Sequence, residues 1–109
     1  MLLQGERVLI RPFAPSDEAA MRRVWGDAEA MRFLEPPFSP EKTRAFLQEA
    51  GLCEPPLIFA LALLPTGEAV GHVIFHPFAG EKDVCELGWV LRRELWGRGL
   101  AREATALLL

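Results

Sequence analysis

Residues 96–101 read Trp-Gly-Arg-Gly-Leu-Ala, directly after an extended apolar run and directly before a helical one. Glycine costs about 0.5–1 kcal/mol in a regular element relative to alanine. Two of them in alternation, Gly97 and Gly99, therefore mark backbone that must stay bare. A strand, a glycine-marked turn and a helix in that order make an anion site. The first turn of a helix leaves its N–H groups unpaired, and the macrodipole adds positive potential there. Side chains at 97 and 99 would hold phosphate oxygens away from those groups, and Ala101 keeps the next position small. Arg98 and Arg102 add full charges at the rim. The pattern reads as a pyrophosphate cradle, with a tight turn for close helix–strand packing as the plainer alternative.

Charge sharpens this reading. From Leu91 to Arg102 the chain places Arg92, Arg93, Arg98 and Arg102 against a single acid, Glu94, although the net charge is −3. A local positive patch on an acidic protein suits a small anionic ligand, or is simply a solvated helix end; bulk nucleic-acid binding is not expected. Two other phosphate motifs are excluded. A dinucleotide fingerprint needs a third glycine where Arg102 stands, and the G-K-[ST] of a P-loop is absent.

The 109 residues allow one domain at most, spanning 1–109. With 50% hydrophobic and 25% charged residues, a packed core is expected and disorder is not. "MLLQGERVLIRPF" carries charges where a signal peptide would be apolar. No apolar run approaches the roughly 18–20 residues that span a bilayer. The expectation is a soluble, cytoplasmic protein with no membrane partner. Cys53 and Cys85 form no C-x-x-C pair, so no metal site or redox motif is indicated.

Periodicity supplies the elements. "ERVLIRPF" (6–13) reads as a strand, with Val8 and Ile10 on one face and Pro12 at its end. Ser16 is the expected cap of a helix whose buried stripe is Met21, Val24, Trp25 and Ala28. "SPEKTRAFLQEA" (39–50) predicts a second helix, capped by Ser39, opened by Pro40 and striped by Phe46, Leu47 and Ala50. "LIFALALL" (57–64) fits a strand covered on both faces, joined through "PTGE" to "AVGHVIFH" (69–76) as a hairpin. "VCELGWVL" (84–91) is a further extended run. The last helix is expected to begin near Gly97 or Arg98 and to bury Ala101, Ala104, Leu107 and Leu108.

With the stretches "RVLIRPFAPSDEAAM", "CELGWVL" and "ELWGRGLAREA", this order of elements resembles the GNAT superfamily of N-acetyltransferases, and within it the RimJ/RimL branch. The resemblance implies an α/β fold: a mixed, mainly antiparallel sheet flanked by helices, the N-terminal part of a GNAT domain. It implies that acetyl-CoA is the cosubstrate, with its pyrophosphate on the N–H groups from Gly97 through Arg98, Gly99, Leu100 and Ala101 to Arg102. Its pantetheine arm would pair with the backbone of Trp89, Val90 and Leu91. Trp96 stands where the superfamily's Q/R-x-x-G-x-G/A signature has Gln or Arg. Family members continue through another strand and helix that complete the cleft and often carry the acid for the leaving thiolate. This chain has no tyrosine and closes on three leucines, so it is expected to be a fragment or to be completed by a partner.

Acetyl transfer needs a deprotonated amine, a polarised thioester and a proton for the thiolate. Glu86 is the candidate base, because it shares a strand face with Gly88 and Val90 near where the resemblance places the thioester; a solvent-facing or arginine-paired carboxylate is the alternative. His72 and His76 share a strand face on either side of Ile74 and read first as structural histidines, second as lining for an amine pocket. Trp25 is expected in the core, with an acceptor-site role as the alternative. The acceptor implied is a primary amine, first a protein N-terminal α-amine, with small amines open. Two other classes stay open: a non-catalytic acyl-CoA-binding half-domain and an assembly module. The apolar wall and uncapped helix end predict self-association, most simply as a two-fold homodimer.

Overall fold

A computed structural model describes residues 3–32, 36–54, 56–77 and 85–108, with the backbone alone at 75–77, 85–88 and 108. Five strands form one antiparallel sheet in chain order: β1 (Leu3–Gln4), β2 (Val8–Arg11), β3 (Phe59–Leu63), β4 (Glu68–Pro77) and β5 (Cys85–Leu91). Helices α1 (Glu18–Trp25) and α2 (Pro40–Phe46) lie between β2 and β3, and α3 (Leu100–Leu108) follows β5. No parallel pair occurs among the described residues, so the antiparallel share of the expected mixed sheet is what they contain.

Alternation, shifted once on β4 by a bulge opposite Leu61 and Ala62, assigns the two faces. Val8 and Ile10 on β2, Leu61 on β3, Val70 and Val73 on β4 and Leu91 on β5 pack with Leu95, Leu100 and Ala104 of the α3 side. Ala60, Ala69 and Val90 turn the other way, onto Met21, Val24 and Trp25 of α1 and onto Leu47 and Ala50 beyond α2. Ala60, Leu61 and Ala62 are all fully buried, which is why this stretch reads as a continuous apolar run. The β3–β4 turn places Gly67 at φ 77° and bonds its N–H to Leu63 O at 2.6 Å. At Gly71 a side chain is impossible for another reason: a Cβ there would overlap the Val90 carbonyl oxygen on the neighbouring strand.

Several boundaries differ from the sequence expectation. The strand expected over 6–13 is shorter, and a further strand, β1, pairs with it before the turn at residues 5–7. Ser16 does not cap α1. A 3-10 turn over Pro15–Asp17 precedes the helix, and the Asp17 carboxylate accepts the Ala14 N–H at 2.8 Å while Arg11 grips it through two bonds of 2.9 Å. Burial pushes the Asp17 carboxyl up, but the Arg11 and Ala14 hydrogen bonds outweigh it and hold its pKa below the usual range. Ser16 lies inside this turn rather than ahead of it, and Asp17 ties the turn back to Ala14.

Helix α1 stops at Gly26, so Ala28 falls in the following turn and is exposed rather than buried. Ser39 does cap α2, its Oγ accepting from the Lys42 N–H at 3.1 Å, and Pro40 opens it. The final turn over Leu47–Gly51 widens to π geometry, with Leu52 N–H on Leu47 O. Helix α3 begins at Leu100, not at Gly97 or Arg98; Leu100, Ala104 and Leu107 pack against the sheet, Ala101 is half-buried on the cleft side, and the side chain of Leu108 lies outside the described residues.

Candidate active site: a glycine cradle at the end of an edge strand

β5 is one of the two edge strands among the described residues, opposite β1, and its ladder has a definite parity. The Arg92 N–H donates to Val70 O at 2.7 Å, one step beyond the Gly71–Leu91 register pair. Hydrogen-bonded and non-bonded pairs alternate in an antiparallel ladder. Val90 therefore spends its N–H and C=O on His72 of β4, whereas Trp89 and Leu91 turn theirs to the open edge. Leu91 O is taken by Trp96, whose indole Nε1–H donates to it at 2.9 Å. The edge keeps the N–H groups of Trp89 and Leu91 for a ligand, and Val90 contributes a buried side chain beneath.

After Leu91 the chain passes Arg92, a 3-10 turn over Arg93–Leu95, and then Trp96. Gly97 and Gly99 both adopt left-handed backbone, at φ 80° and 75°. Leucine or arginine in that region costs roughly 1–2 kcal/mol, so conformation as well as bareness demands glycine here. Glu103 N–H is the first of α3 to bond back, to Gly99 O at 3.1 Å. The N–H groups of Leu100, Ala101 and Arg102 are thus the orphan donors of the helix start.

These pieces border one cavity of about 360 Å³, lined by Trp89, Val90, Leu91, Leu95, Trp96, Gly97, Gly99, Leu100, Ala101 and Arg102, with Ala30 across from them. All residues expected at the cradle and the strand edge therefore line one cleft, except Arg98, whose side chain is exposed at the rim. Leu95 and Ala30 were not anticipated from sequence. Leu95 reads there only as one of many leucines, and Ala30 belongs to a turn after α1. Trp89 and Trp96 are close to half exposed and form the walls.

Of the four arginines in the patch, two are engaged with acids. Arg92 pairs with Glu68 at 3.7 Å and Glu94 at 3.4 Å, and Arg93 with Asp27 at 3.5 Å. Arg98 and Arg102 form no ion pair among the described residues, which leaves their charge for the cradle. Left-handed glycines, orphan N–H groups and two uncompensated guanidiniums fit the pyrophosphate of a CoA thioester. No group of three or more His, Cys, Asp or Glu among the described residues is placed to hold a metal.

The remaining candidates separate. β5 pairs Glu86 with His76 in register, but the side chains of both, like those of Cys85 and Leu87, lie outside the described residues. His72 is a structural histidine: it is 5% exposed, its Nδ1 accepts from Trp25 Nε1–H at 2.9 Å, and burial lowers its pKa to about 4. Trp25 takes its expected place in the core. It is fully buried at the centre of a ring cluster, with centroids of Phe13 at 5.9 Å, Phe38 at 6.0 Å and Phe46 at 4.9 Å.

The same fold occurs in solved acetyltransferases. A GNAT-family acetyltransferase from Bacillus anthracis matches with a TM-score of 0.87 and 31% identity, over 98% of this chain and 63% of its own. An acetyltransferase from Agrobacterium tumefaciens matches at 0.72 and 26%, over 98% and 64%. A Vibrio cholerae chain, assigned as a ribosomal-protein-serine acetyltransferase, shares the fold at 0.80 with 17% identity, over 99% and 64%. The chain thus spans a little under two thirds of these relatives. The model of the acetyltransferase (GNAT) domain family covers residues 7–109. On the strength of that match, across nearly its whole length, the chain belongs to the GNAT acetyltransferase family.

Proposed function

We propose that this chain carries the acetyl-CoA half of an N-acetyltransferase site, which transfers an acetyl group from acetyl-CoA to a primary amine. The observation that carries the reading is the continuity of one cleft from the Trp89–Leu91 edge to the orphan N–H groups of Leu100–Arg102. A pantetheine arm is a flexible chain of amides, and it needs an edge strand to hold it extended. A pyrophosphate needs bare N–H groups one strand-end further on. Trp96 stands in place of the signature Gln or Arg and contributes no charge; it closes the strand end through its bond to Leu91 O instead.

In the chemical step the amine must lose a proton before attack. Glu86 takes that proton, directly or through a water, and the amine nitrogen then attacks the thioester carbonyl carbon. The tetrahedral intermediate collapses by breaking the C–S bond; the nitrogen gives up its surplus proton to become the amide, and the departing thiolate takes up one proton to leave as the thiol. A protein N-terminal α-amine is the acceptor we favour, on the RimJ/RimL-like stretches "RVLIRPF" and "ELWGRGLAREA". A two-fold homodimer in the cytoplasm is the working state we favour, with its contact on the leucine-rich end of the chain and not across the Trp89–Leu91 edge that the cosubstrate takes.

Calorimetry with CoA tests the cradle. Gly97→Glu, whose added Cβ meets no neighbour within 4 Å and which brings a negative charge to the cradle, should abolish measurable binding while circular dichroism stays native. Unchanged affinity in that variant would refute the assignment of the pyrophosphate site.

A further inference from the structure

Arg7 lies 91 residues before Arg98 in sequence, yet it is bonded to the glycine turn at several points. It sits in the tight turn between β1 and β2, which Gly5 N–H closes on Val8 O at 2.8 Å. Its Nη1 donates to Arg98 O at 2.7 Å and its Nη2 to Gly99 O at 3.4 Å. Its Nε donates to Glu103 Oε1 at 2.9 Å. The backbone N–H groups of Arg7 and Val8 complete the contact, donating to Glu103 Oε2 at 2.8 and 3.1 Å.

Two physical consequences follow from this geometry. A trans peptide points its C=O and its N–H in opposite directions. Holding the Arg98 and Gly99 carbonyls on Arg7 therefore sends the N–H groups of Gly99 and Leu100 away from it. Gly99 and Leu100 line the cleft and Arg7 does not, which places those N–H groups on the ligand's side. The second consequence concerns charge. Glu103 lies in the first turn of α3, where a carboxylate opposes any anion bound at the helix start. Its pKa is held below the usual range, first by the Arg7 backbone N–H and then by the guanidinium and the Val8 N–H. The carboxylate is thereby turned toward β2 with its charge balanced.

We infer that Arg7 is a positioning residue for the anion cradle, orienting the Arg98 and Gly99 peptides and balancing Glu103 so that the turn's N–H groups are preset for a pyrophosphate. The inference rests on the reading that the cradle holds CoA, but the orientation of the turn is measurable without ligand. A role confined to anchoring the β1–β2 turn would lower the melting temperature and move neither quantity below.

Arg7→Lys keeps a positive charge beside Glu103, but one ammonium cannot span two carbonyls and a carboxylate. In calorimetry the folded variant should bind CoA about tenfold more weakly than wild type, the loss of one or two charge-assisted hydrogen bonds. Backbone 15N order parameters at Gly99 and Leu100 should fall in the ligand-free variant from near the rigid value of about 0.85 toward 0.6. Arg7→Ala should lose more on both counts, and if it fails to fold, Arg7→Lys decides alone. A folded Arg7→Lys with wild-type CoA affinity and wild-type order parameters overturns the inference. Wild-type protein that does not bind CoA overturns the cradle reading instead, and the order parameters then still decide whether Arg7 sets the turn.

Discussion

His72 sits between α1 and the sheet with Trp25 and Phe46 against its ring, at centroid distances of 5.7 and 6.2 Å. Its Nδ1 accepts the Trp25 indole proton, so the neutral ring carries its own proton on Nε2. Protonating Nδ1 would set two donors against each other inside an apolar cluster. Folded, the pKa is lowered to about 4 from 6.5. The unfolded chain therefore binds a proton first as the pH falls. The stability tied to neutral His72 is fully present above pH 6.5 and drains away as the pH drops toward 4. The gap corresponds to about 3 kcal/mol, of which about 2 kcal/mol is gone by pH 5. That is a sizeable share of the roughly 5–15 kcal/mol that holds a domain of this kind.

Urea denaturation followed by tryptophan fluorescence, at half-unit steps from pH 7.5 to 4.5, measures the effect. The unfolding free energy should fall with a slope that approaches about 1.4 kcal/mol per pH unit between 6 and 4.5. His72→Gln offers Trp25 an acceptor that does not titrate, and it should flatten that slope even if it lowers stability at neutral pH. Asp17 and Glu103, with pKa values held down, lose their own contributions only as the pH falls through the carboxylate range. They are therefore separable from His72. A wild-type slope equal to that of His72→Gln across this window would refute the argument.

Gly71→Ala should destabilise by about 2 kcal/mol or more, since the added methyl meets a backbone carbonyl on β5 that cannot retreat; urea midpoints measure it. Thr43→Val should stabilise by about 1 kcal/mol, because the fully buried Thr43 hydroxyl has no hydrogen-bond partner among the described residues; the melting temperature should rise. Gly97→Ala meets no neighbour within 4 Å, so its cost is the left-handed backbone alone, about 1 kcal/mol, with a matching loss of CoA affinity in calorimetry. Glu86→Gln should lower acetyl turnover at neutral pH and leave CoA affinity nearly intact. Normal turnover with an unmoved pH profile would place the base elsewhere.

What could be read in the sequence was what is local. Apolar spacing of two marked β2, a continuous apolar run marked β3, and the Ser39–Pro40 pair marked the start of α2. The glycines located the turn before α3, because a backbone demand explains glycine at a helix start. Errors arose where one side chain answers to distant partners. Ser16 falls inside a 3-10 turn whose Asp17 is held by Arg11, and Arg11 also bonds Gly67 O at 2.8 Å.

The cradle shows most sharply why part of a site stays hidden. Gly97 and Gly99 suggest bare N–H groups, but bareness does not say which way those groups point. Direction is set by where the paired carbonyls go, and they go to Arg7. In sequence Arg7 is one polar residue in an alternating strand, and Glu103 is one polar residue on a helix. Neither type nor spacing links them, because the link exists only once β2 and α3 pack on the same face of the sheet through Val8, Ile10, Leu100 and Ala104. The apolar pattern that builds that core therefore also aims the ligand-binding backbone. Enlarging Ala104, fully buried where α3 meets the sheet, should push α3 off β2 and lengthen every Arg7 contact at once. Ala104→Leu should thus cost about 1–3 kcal/mol in stability by overpacking, and CoA affinity should fall even in the fraction that remains folded. Lost stability with CoA affinity unchanged would show that the turn holds its direction without the strand beneath it.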